Sequence, residues 1–303
     1  MSKDTPTAES APTGEQLVAD LLRLLTLERI GEDSFLGPQK PDGVGRIFGG
    51  QVVAQALVAA EHTVPDGRAP HSLHASFLRG GDEDHPVDYR VERLLEGRSF
   101  SHRRVTATQP GGTILTANIS FQRHEEAPSH QAADMPDVPP PEDLMAEHVL
   151  IERMREQLAD KIPAAFLNPR PIEQRSENLS AFISTQASEP KQNVWARTRA
   201  ALPDDPAIHR AVLAYYTDYR LMSTGTMPHD FSFLQGGMVA ASLDHQIWFH
   251  DPAPKVDDWL LYAMTSPISG NARCLNHGQL FTREGRLVAS TAQEGMFRER
   301  KRG

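Results

Sequence analysis

The chain has a single cysteine, Cys274, among 303 residues. One thiol cannot form an internal disulfide, so the chain fits a reducing compartment, and we expect a cytoplasmic location. Nothing in the sequence supplies a base beside Cys274, and a buried structural thiol is therefore expected rather than a nucleophile. Basic residues are also scarce, with 31 Lys and Arg against 40 Asp and Glu and a net charge of −9. This balance disfavours a nucleic-acid partner, because binding phosphates requires a basic surface.

Long apolar runs and several cofactor motifs are missing as well. No stretch approaches the roughly 18 consecutive apolar residues of a membrane span, and residues 1–14 are polar, which predicts a disordered arm without a signal peptide. There is no G-x-S-x-G elbow of a serine hydrolase. The glycines at 43, 45 and 49 precede no P-loop lysine, and the histidine pairs are poorly spaced for zinc. We therefore predict neither a cofactor nor a metal.

The hydrophobic periodicity predicts an α+β chain built of two units. The predicted boundaries are 15–124 for the first unit, 125–165 for a proline-rich acidic linker and 166–303 for the second unit. Predicted helices cover 14–27, 49–62, 206–220 and 236–250, with Thr13 and Gln16 forming a capping box before the first. Predicted strands cover 71–78, 87–95, 99–109, 113–122, 173–186, 193–201, 258–266, 271–283 and 286–298.

Two pairs of segments suggest an internal duplication. Residues 49–60 align without a gap on 236–247, and both segments begin with two glycines. The segment 114–121 likewise matches 289–296, which places Asn118 opposite Gln293. We interpret the units as homologous, each with a helix beside an antiparallel sheet.

Asp244 is the first candidate for chemistry, because the alignment places it where the first unit has Leu57. On a helix, Asp244 would share a face with Ala240, Ala241 and Ile247. An ionised carboxylate on an apolar face costs several kcal/mol unless it is hydrogen-bonded or used. Asp244 is therefore predicted to be catalytic, and the alternative is a structural hydrogen bond at a partly open edge.

Gln293 and a nearby hydroxyl are the other candidates. Alternation along the last strand places Gln293 on the inward side, where its amide could hold a carbonyl or a water or else satisfy neighbouring backbone. Asn118, on the matching strand, shares a side with polar residues and is expected to be less buried. Thr265 and Ser266 end a strand before Pro267, where a hydroxyl serves either as a turn cap or in a site.

Several motifs together resemble the type II acyl-CoA thioesterases of the TesB family. They are Gly45-Arg-Ile-Phe-Gly-Gly-Gln51, His71-Ser-Leu-His-Ala-Ser-Phe-Leu-Arg-Gly80, Gly97-Arg-Ser-Phe-Ser-His-Arg-Arg104, Leu243-Asp-His-Gln-Ile-Trp-Phe-His250 and Ser290-Thr-Ala-Gln-Glu-Gly295. The resemblance extends from about residue 15 to residue 298. It implies a double hotdog fold, two tandem units that each wrap an antiparallel sheet around a central helix.

The resemblance also implies an activity and a site. Members of this family hydrolyse acyl-CoA to a free fatty acid and CoA with water held by an Asp, a Gln and a Ser or Thr, without a covalent intermediate. Carried over motif by motif, the Asp is Asp244, the Gln is Gln293, and the hydroxyl is Ser266, with Thr265 as the adjacent alternative. The implied partners are an acyl-CoA substrate and at least one further copy of the chain.

Two other functions remain open on the sequence. A hotdog enoyl-CoA hydratase would need an acid and a histidine placed across the substrate, and His245 beside Asp244 would point about 100° away on a helix. A non-catalytic acyl-CoA-binding module would keep the fold and lose the acid. Because Leu57 and Asn118 stand where Asp244 and Gln293 stand, we expect one active site per chain, in the second unit.

Overall fold

The computed structural model describes residues 11–40, 45–158, 167–178, 186–229 and 238–299. Most of the arm predicted for residues 1–14 lies outside these ranges. No helix in the described parts of the chain is both long and apolar enough to cross a membrane.

Helices and strands alternate along the chain in two similar successions. The helices are α1 (Gly14–Leu25), α2 (Gly49–Glu61), α3 (Glu147–Leu158), α4 (Pro206–Thr217) and α5 (Leu221–Thr224), with a short 3-10 helix at Pro141–Asp143. The strands are β1 (Glu28–Gly31), β2 (Ser34–Gly37), β3 (Arg68–Phe77), β4 (Val87–Glu96), β5 (Phe100–Gln109), β6 (Gly112–Arg123), β7 (Ile172–Arg175), β8 (Lys191–Thr198), β9 (Met238–Ser242), β10 (Asp244–Phe249), β11 (Leu260–Gly270), β12 (Arg273–Thr282) and β13 (Leu287–Glu299).

The described strands form one continuous antiparallel sheet. Its order is β1-β2-β4-β5-β6-β3-β10-β13-β12-β11-β8-β7, and β9 pairs with β13 beside this path. The strands of the two units join where β3 pairs with β10, so that His74 lies opposite Gln246. The junction makes the two units halves of a single sheet.

Helices α2 and α4 form the centre of the core, and nearly all of their residues are buried. They run in opposite directions. The start of α2 lies against the end of α4, where a Cβ on Gly50 would be 2.1 Å from the carbonyl oxygen of Tyr215. At the other end, Arg210 Nε donates to Glu61 Oε1 over 2.8 Å. One apolar cluster includes both helices and strands of both units, which makes the two halves one folded body.

Most of the predicted elements are confirmed. The capping box of Thr13 and Gln16 begins α1, and α2, α4 and the long strands lie where the periodicity places them. Of the strand predicted at 173–186, β7 covers the first part, and residues 179–185 lie outside the described residues. The segment predicted as a linker contains α3 and the 3-10 helix.

The helix predicted at 236–250 is wrong. Residues 238–249 form β9 and β10, and β10 fills the position between β3 and β13 with pairing on both sides. His245, Ile247 and Phe249 are buried and alternate with half-buried neighbours, which is the period of a strand. A short apolar segment does not distinguish helix from strand by composition alone.

The alignment of the repeats changes with this correction. The helix that corresponds to α2 is α4, so the described residues 238–247 have no equivalence to a helix. The strand match also places side chains of opposite faces together. Gln293 is buried on β13, whereas Asn118 is exposed on β6 between the buried Ala117 and Ile119, so an apolar neighbour of Asn118 holds the inward place in the first unit.

Candidate active site

Gln293 lies at the centre of a polar cluster. It is completely buried on β13, as its alternation predicts. Its Nε2 donates to Oδ1 of Asp218 over 2.6 Å and to Oγ of Ser242 over 3.1 Å. Among the described residues, no partner is found for its buried Oε1. The amide therefore joins an acid to a hydroxyl and keeps an acceptor for a bound molecule.

Asp218 is placed by the end of α4. The Asp205 side chain caps the start of α4 by accepting from Ala207 N, Pro206 occupies the first turn, and Asp218 is the C-cap residue. A carboxylate at a helix C-terminus lies at the negative end of the helix dipole, which is an electrostatically unfavourable place. Its partner Gln293 offsets this cost with a charge-assisted hydrogen bond.

Thr217, immediately before Asp218, is hydrogen-bonded to two strands directly and to a third strand through Tyr262. Its hydroxyl bonds to Nε2 of His245 on β10 over 3.0 Å, and its carbonyl oxygen accepts from the Tyr262 hydroxyl on β11 over 2.9 Å. The Tyr262 hydroxyl also bonds to Thr291 on β13 over 2.8 Å. Burial lowers the pKa of His245, which favours the neutral imidazole. This buried network holds the end of α4 against the sheet.

The first unit contributes the start of α2. A Cβ on Gly49 would lie 2.7 Å from Oδ2 of Asp218, so only glycine leaves room beside this carboxylate. Phe48, the N-cap residue, makes no side-chain capping bond. The first N–H groups of α2 therefore lack a side-chain cap and lie at the positive end of the helix dipole, and Gly49 places this end of the helix beside Asp218.

Ser242 reaches the cluster from the end of β9. Ser242 pairs with Gly295 on β13, two positions beyond Gln293. Its Oγ accepts from Gln293, and within the described parts of the chain its hydroxyl donates only to the sulfur of Met222, at 4.0 Å. The hydroxyl is therefore available as a donor to a closer partner.

The structure does not bring Asp244 into this cluster. Asp244 begins β10, pairs with Ser76 and is half-buried, so the apolar helix face on which its prediction rests does not exist. Its Oδ1 accepts from the backbone N–H of Glu294 over 2.6 Å. This is the structural hydrogen bond that the sequence leaves as the alternative.

Among the described residues, the hydrogen bonds of the Gln293 side chain go to Asp218 and Ser242 and not to Ser266 or Thr265. Ser266 Oγ donates to the carbonyl oxygen of Leu275 over 2.7 Å, where the pairing of β11 with β12 is irregular. Thr265 is exposed.

Sequence reasoning missed Asp218 and Ser242. The signal that could have found Asp218 is an acid directly after a buried apolar helix.

One group of metal-ligand type occurs elsewhere among the described residues. Asp82, Asp84 and His85 bring three ligand atoms within 4.8 Å of one another, and both aspartates are exposed. Nothing connects this group to Gln293, and it gives no reason to place a metal in the candidate site.

Comparison with known proteins gives a consistent result. The acyl-CoA thioesterase profile matches residues 162–296, and the profile of the acyl-CoA thioesterase N-terminal domain matches residues 38–122. The chain is 39% identical to acyl-CoA thioesterase 2 of Haemophilus influenzae over 282 residues, which cover 93% of this chain and 98% of that protein.

Solved structures agree in fold. An acyl-CoA thioesterase II, TesB2, from Mycobacterium marinum is 36% identical with a TM-score of 0.73, covering 92% of this chain and 98% of the other. A protein with a hot dog fold from Alicyclobacillus acidocaldarius is 21% identical with a TM-score of 0.72, covering 92% and 97%. The expected double hotdog architecture is thereby confirmed.

Proposed function

Because this chain belongs to the acyl-CoA thioesterase family, we propose that it hydrolyses acyl-CoA to a free fatty acid and CoA at Asp218, Ser242 and Gln293. The observation that carries the proposal is the pair of hydrogen bonds from Gln293 Nε2 to the other two residues. They are an Asp, a Gln and a Ser, the three residue types that the family resemblance implies. Asp244 and Ser266, assigned from sequence motifs, are replaced in this proposal by Asp218 and Ser242.

The chemistry follows from the donors and acceptors of the three side chains. A water that donates to Asp218 Oδ2 and to Gln293 Oε1, and accepts from the Ser242 hydroxyl, has a lone pair left for the thioester carbon. As its oxygen bonds to that carbon, Asp218 takes its proton. The tetrahedral intermediate then expels the CoA sulfur, which receives the proton. Catalysis here depends on positioning, and no covalent enzyme intermediate is formed.

The start of α2 supplies what the developing oxyanion needs. Gly49 and Gly50 are the first residues of α2, so their N–H groups lie at the positive end of a helix, and Gly49 lies beside Asp218. Backbone donors fixed in this way stabilise the negative charge on the carbonyl oxygen of the thioester. The active site thus combines residues of the second unit with the helix start of the first.

Each chain carries one such site in this proposal, for reasons that differ from those of the sequence alignment. His62 is the C-cap residue of α2, as Asp218 is of α4. On β6, Asn118 is exposed, and the inward residues beside it are the apolar Ala117 and Ile119. The first unit therefore has neither the acid nor the amide, and it serves as scaffold and as the source of the oxyanion donors.

The test is turnover of acyl-CoA by two matched variants, Asp218→Asn and Asp244→Asn. Asp218→Asn keeps the shape and removes the base, and we expect it to retain less than about a tenth of kcat, a barrier increase above roughly 1.4 kcal/mol. Asp244→Asn is expected to retain most of kcat, while losing up to about 3 kcal/mol of stability from its bond to the Glu294 backbone. The reverse pattern would restore Asp244 as the base.

We also propose that the chain is a cytoplasmic enzyme of fatty acid metabolism. It is proposed to form at least a homodimer, because the long sheet leaves edge strands β1 and β7 available for association. The domain limits 15–124 and 166–303 are proposed unchanged. A monomeric mass in light scattering at micromolar concentration would contradict the dimer.

A further inference from the structure

The turn directly after Asp218 has an unusual backbone. Arg220 has φ 63° and ψ −18°, the left-handed region that a residue with a Cβ adopts only at a cost. In the described part of the chain, the other residues besides glycine with positive φ are Asn271 and Ala272, which form the turn between β11 and β12. Arg220 instead lies between α4 and α5, two residues from the proposed base.

A buried set of contacts holds Arg220 in this conformation. Its guanidinium donates from Nη2 to Glu147 Oε2 over 2.5 Å and from Nε to Gln174 Oε1 over 2.6 Å. Its carbonyl oxygen accepts from Gln192 Nε2 over 3.1 Å and from the Ser223 hydroxyl over 2.7 Å. Both the side chain and the peptide of Arg220 are thus fixed by α3, β7 and β8.

Glu147 is the charged partner from the connection between the two units. Its side chain is 8% exposed and that of Arg220 is 9% exposed, so the pair is shielded from water. Burial would raise the pKa of Glu147, but Arg220 and Arg170 beside it keep the pKa below its ordinary value. Glu147 is therefore the ionised partner of a desolvated ion pair, and losing one partner leaves a buried charge.

The same contacts reach the other side of the site. The guanidinium of Arg170 lies 5.3 Å from the ring centroid of Tyr219, the residue between Asp218 and Arg220. The Tyr219 ring stacks on Phe48 at 4.7 Å. Phe48 is the N-cap residue of α2. The turn after the proposed base is therefore packed against the helix start that supplies the proposed oxyanion donors.

We propose that Arg220 and Glu147 are positioning residues for the thioesterase reaction. Their buried ion pair holds the left-handed turn that fixes Asp218 against Gln293 and Ser242. Helix α3 is then part of the support of the active site, although it lies in the segment between the two units. This inference rests on the proposed function, because it requires Asp218 to take part in hydrolysis.

The experiment compares steady-state hydrolysis of one acyl-CoA by the full-length protein and its variants Glu147→Gln, Arg220→Gly and the double variant. Glycine permits the left-handed conformation without strain but does not hold the turn in it, so Arg220→Gly removes the ion pair that fixes the turn and adds no backbone strain of its own. We expect kcat to fall at least about tenfold in all three, with KM within about twofold, because a misplaced base affects turnover more than binding. The kcat of the double variant should be no lower than that of the less active single variant. Two residues that act as one pair lose their joint effect when either is replaced, so the second replacement adds nothing.

The matched control is Glu61→Gln. Glu61 and Arg210 form a similarly buried pair at 2.8 Å, at the opposite end of α4 from Asp218. Its kcat should stay within about twofold of the unmodified protein, even if its melting temperature falls as much as that of Glu147→Gln. An equal loss of kcat in Glu61→Gln would make the effect of Glu147 one of general stability and overturn the proposal.

Asp218→Asn, measured in the same series, separates the two proposals. If Asp218→Asn is inactive and Arg220→Gly retains more than half of kcat, the positioning role is wrong and the proposed function stands. If Asp218→Asn retains activity, the site assignment fails and the positioning role with it. Should Glu147→Gln not fold, the result for Arg220→Gly decides alone.

Discussion

The two glycines at the start of α2 have different neighbours, and the difference predicts different effects of alanine. At Gly50 the added Cβ would lie 2.1 Å from a backbone oxygen of α4, which cannot move without separating the helices. At Gly49 it would lie 2.7 Å from Asp218 Oδ2, the end of a side chain that can rotate away. We expect Gly50→Ala to lower the free energy of unfolding by about 1–3 kcal/mol, as overpacking does.

For Gly49→Ala, the expected loss is in catalysis. Displacing the Asp218 carboxylate from Gln293 should lower kcat by about a hundredfold, with a change in stability below about 1 kcal/mol, because alanine is also the better helix former. Urea unfolding and turnover of acyl-CoA measure the two effects. Gly111→Ala is the control, since nothing lies within 4 Å of its added Cβ. Equal losses of stability at 49 and 50 would contradict this account.

Among individual residues, the inward direction of Gln293 could be predicted from the sequence, and its contact with Asp218 could not. Strand alternation is a local property, and it correctly gives the inward direction of Gln293. Which acid meets this amide depends on where α4 ends relative to β13, and 75 residues separate Asp218 from Gln293 along the chain. Asp244 lies within a family motif, but its carboxylate accepts from the Glu294 backbone.

Among the secondary-structure elements, the prediction of a helix at 236–250 failed because β10 is paired with a neighbouring strand on each side. The sequence of β10, Asp244-His-Gln-Ile-Trp-Phe249, does not alternate polar and apolar residues. Small residues precede it, and the glycine pair at 236–237 is like the pair that begins α2. Only the pairing of β10 with both β3 and β13 decides in favour of a strand. Amphipathic elements with one buried face, such as α1, were predicted with their caps.

The corrected register also changes how the two units differ. An error of one residue on a strand reverses the face of every side chain. The sequence match puts the exposed Asn118 in place of the buried Gln293, whereas the inward residues beside Asn118 are the apolar Ala117 and Ile119. The first unit therefore has an apolar residue on the inward face at this place, and the asymmetry between the units is greater than the alignment suggests.

For the whole molecule, the α+β class and the duplication were predictable from periodicity, but the joining of the units was not. The pairing of β3 with β10 connects residues about 170 positions apart, and no local pattern encodes it. This junction brings Gly49 of the first unit to Asp218 of the second. The site could therefore be recognised only in part from either half of the sequence.

Histidines with a lowered pKa predict how the stability of the whole molecule depends on pH, and His209 and His245 among them are buried. Loss of hydration is the main cause that lowers the pKa of the following side chains: His62, His71, His102, His148, His209, His245 and His250. A histidine with a lowered pKa in the folded state binds its proton more readily when unfolded. The stability that it contributes is present above about pH 6.5 and is lost as the pH falls below that value.

Glu61 acts in the opposite direction, since burial raises its pKa to about 7 despite Arg210 beside it. Its contribution is present below the ordinary pKa of 4.5 and is lost as the pH rises through about 7. Seven histidines outnumber one glutamate. We therefore expect the free energy of unfolding in urea to be lower at about pH 5.5 than at about pH 7.5.

His245→Gln tests the contribution of a completely buried imidazole to this pH dependence. A glutamine amide can replace its Nε2 as the hydrogen-bond partner of Thr217 without gaining a proton at low pH. The variant should therefore lose less stability than the unmodified protein between about pH 7.5 and about pH 5.5. His85→Gln is the control, because this side chain is 45% exposed. If His245→Gln loses as much stability as the unmodified protein over this interval, the imidazole of His245 does not resist protonation in the folded state.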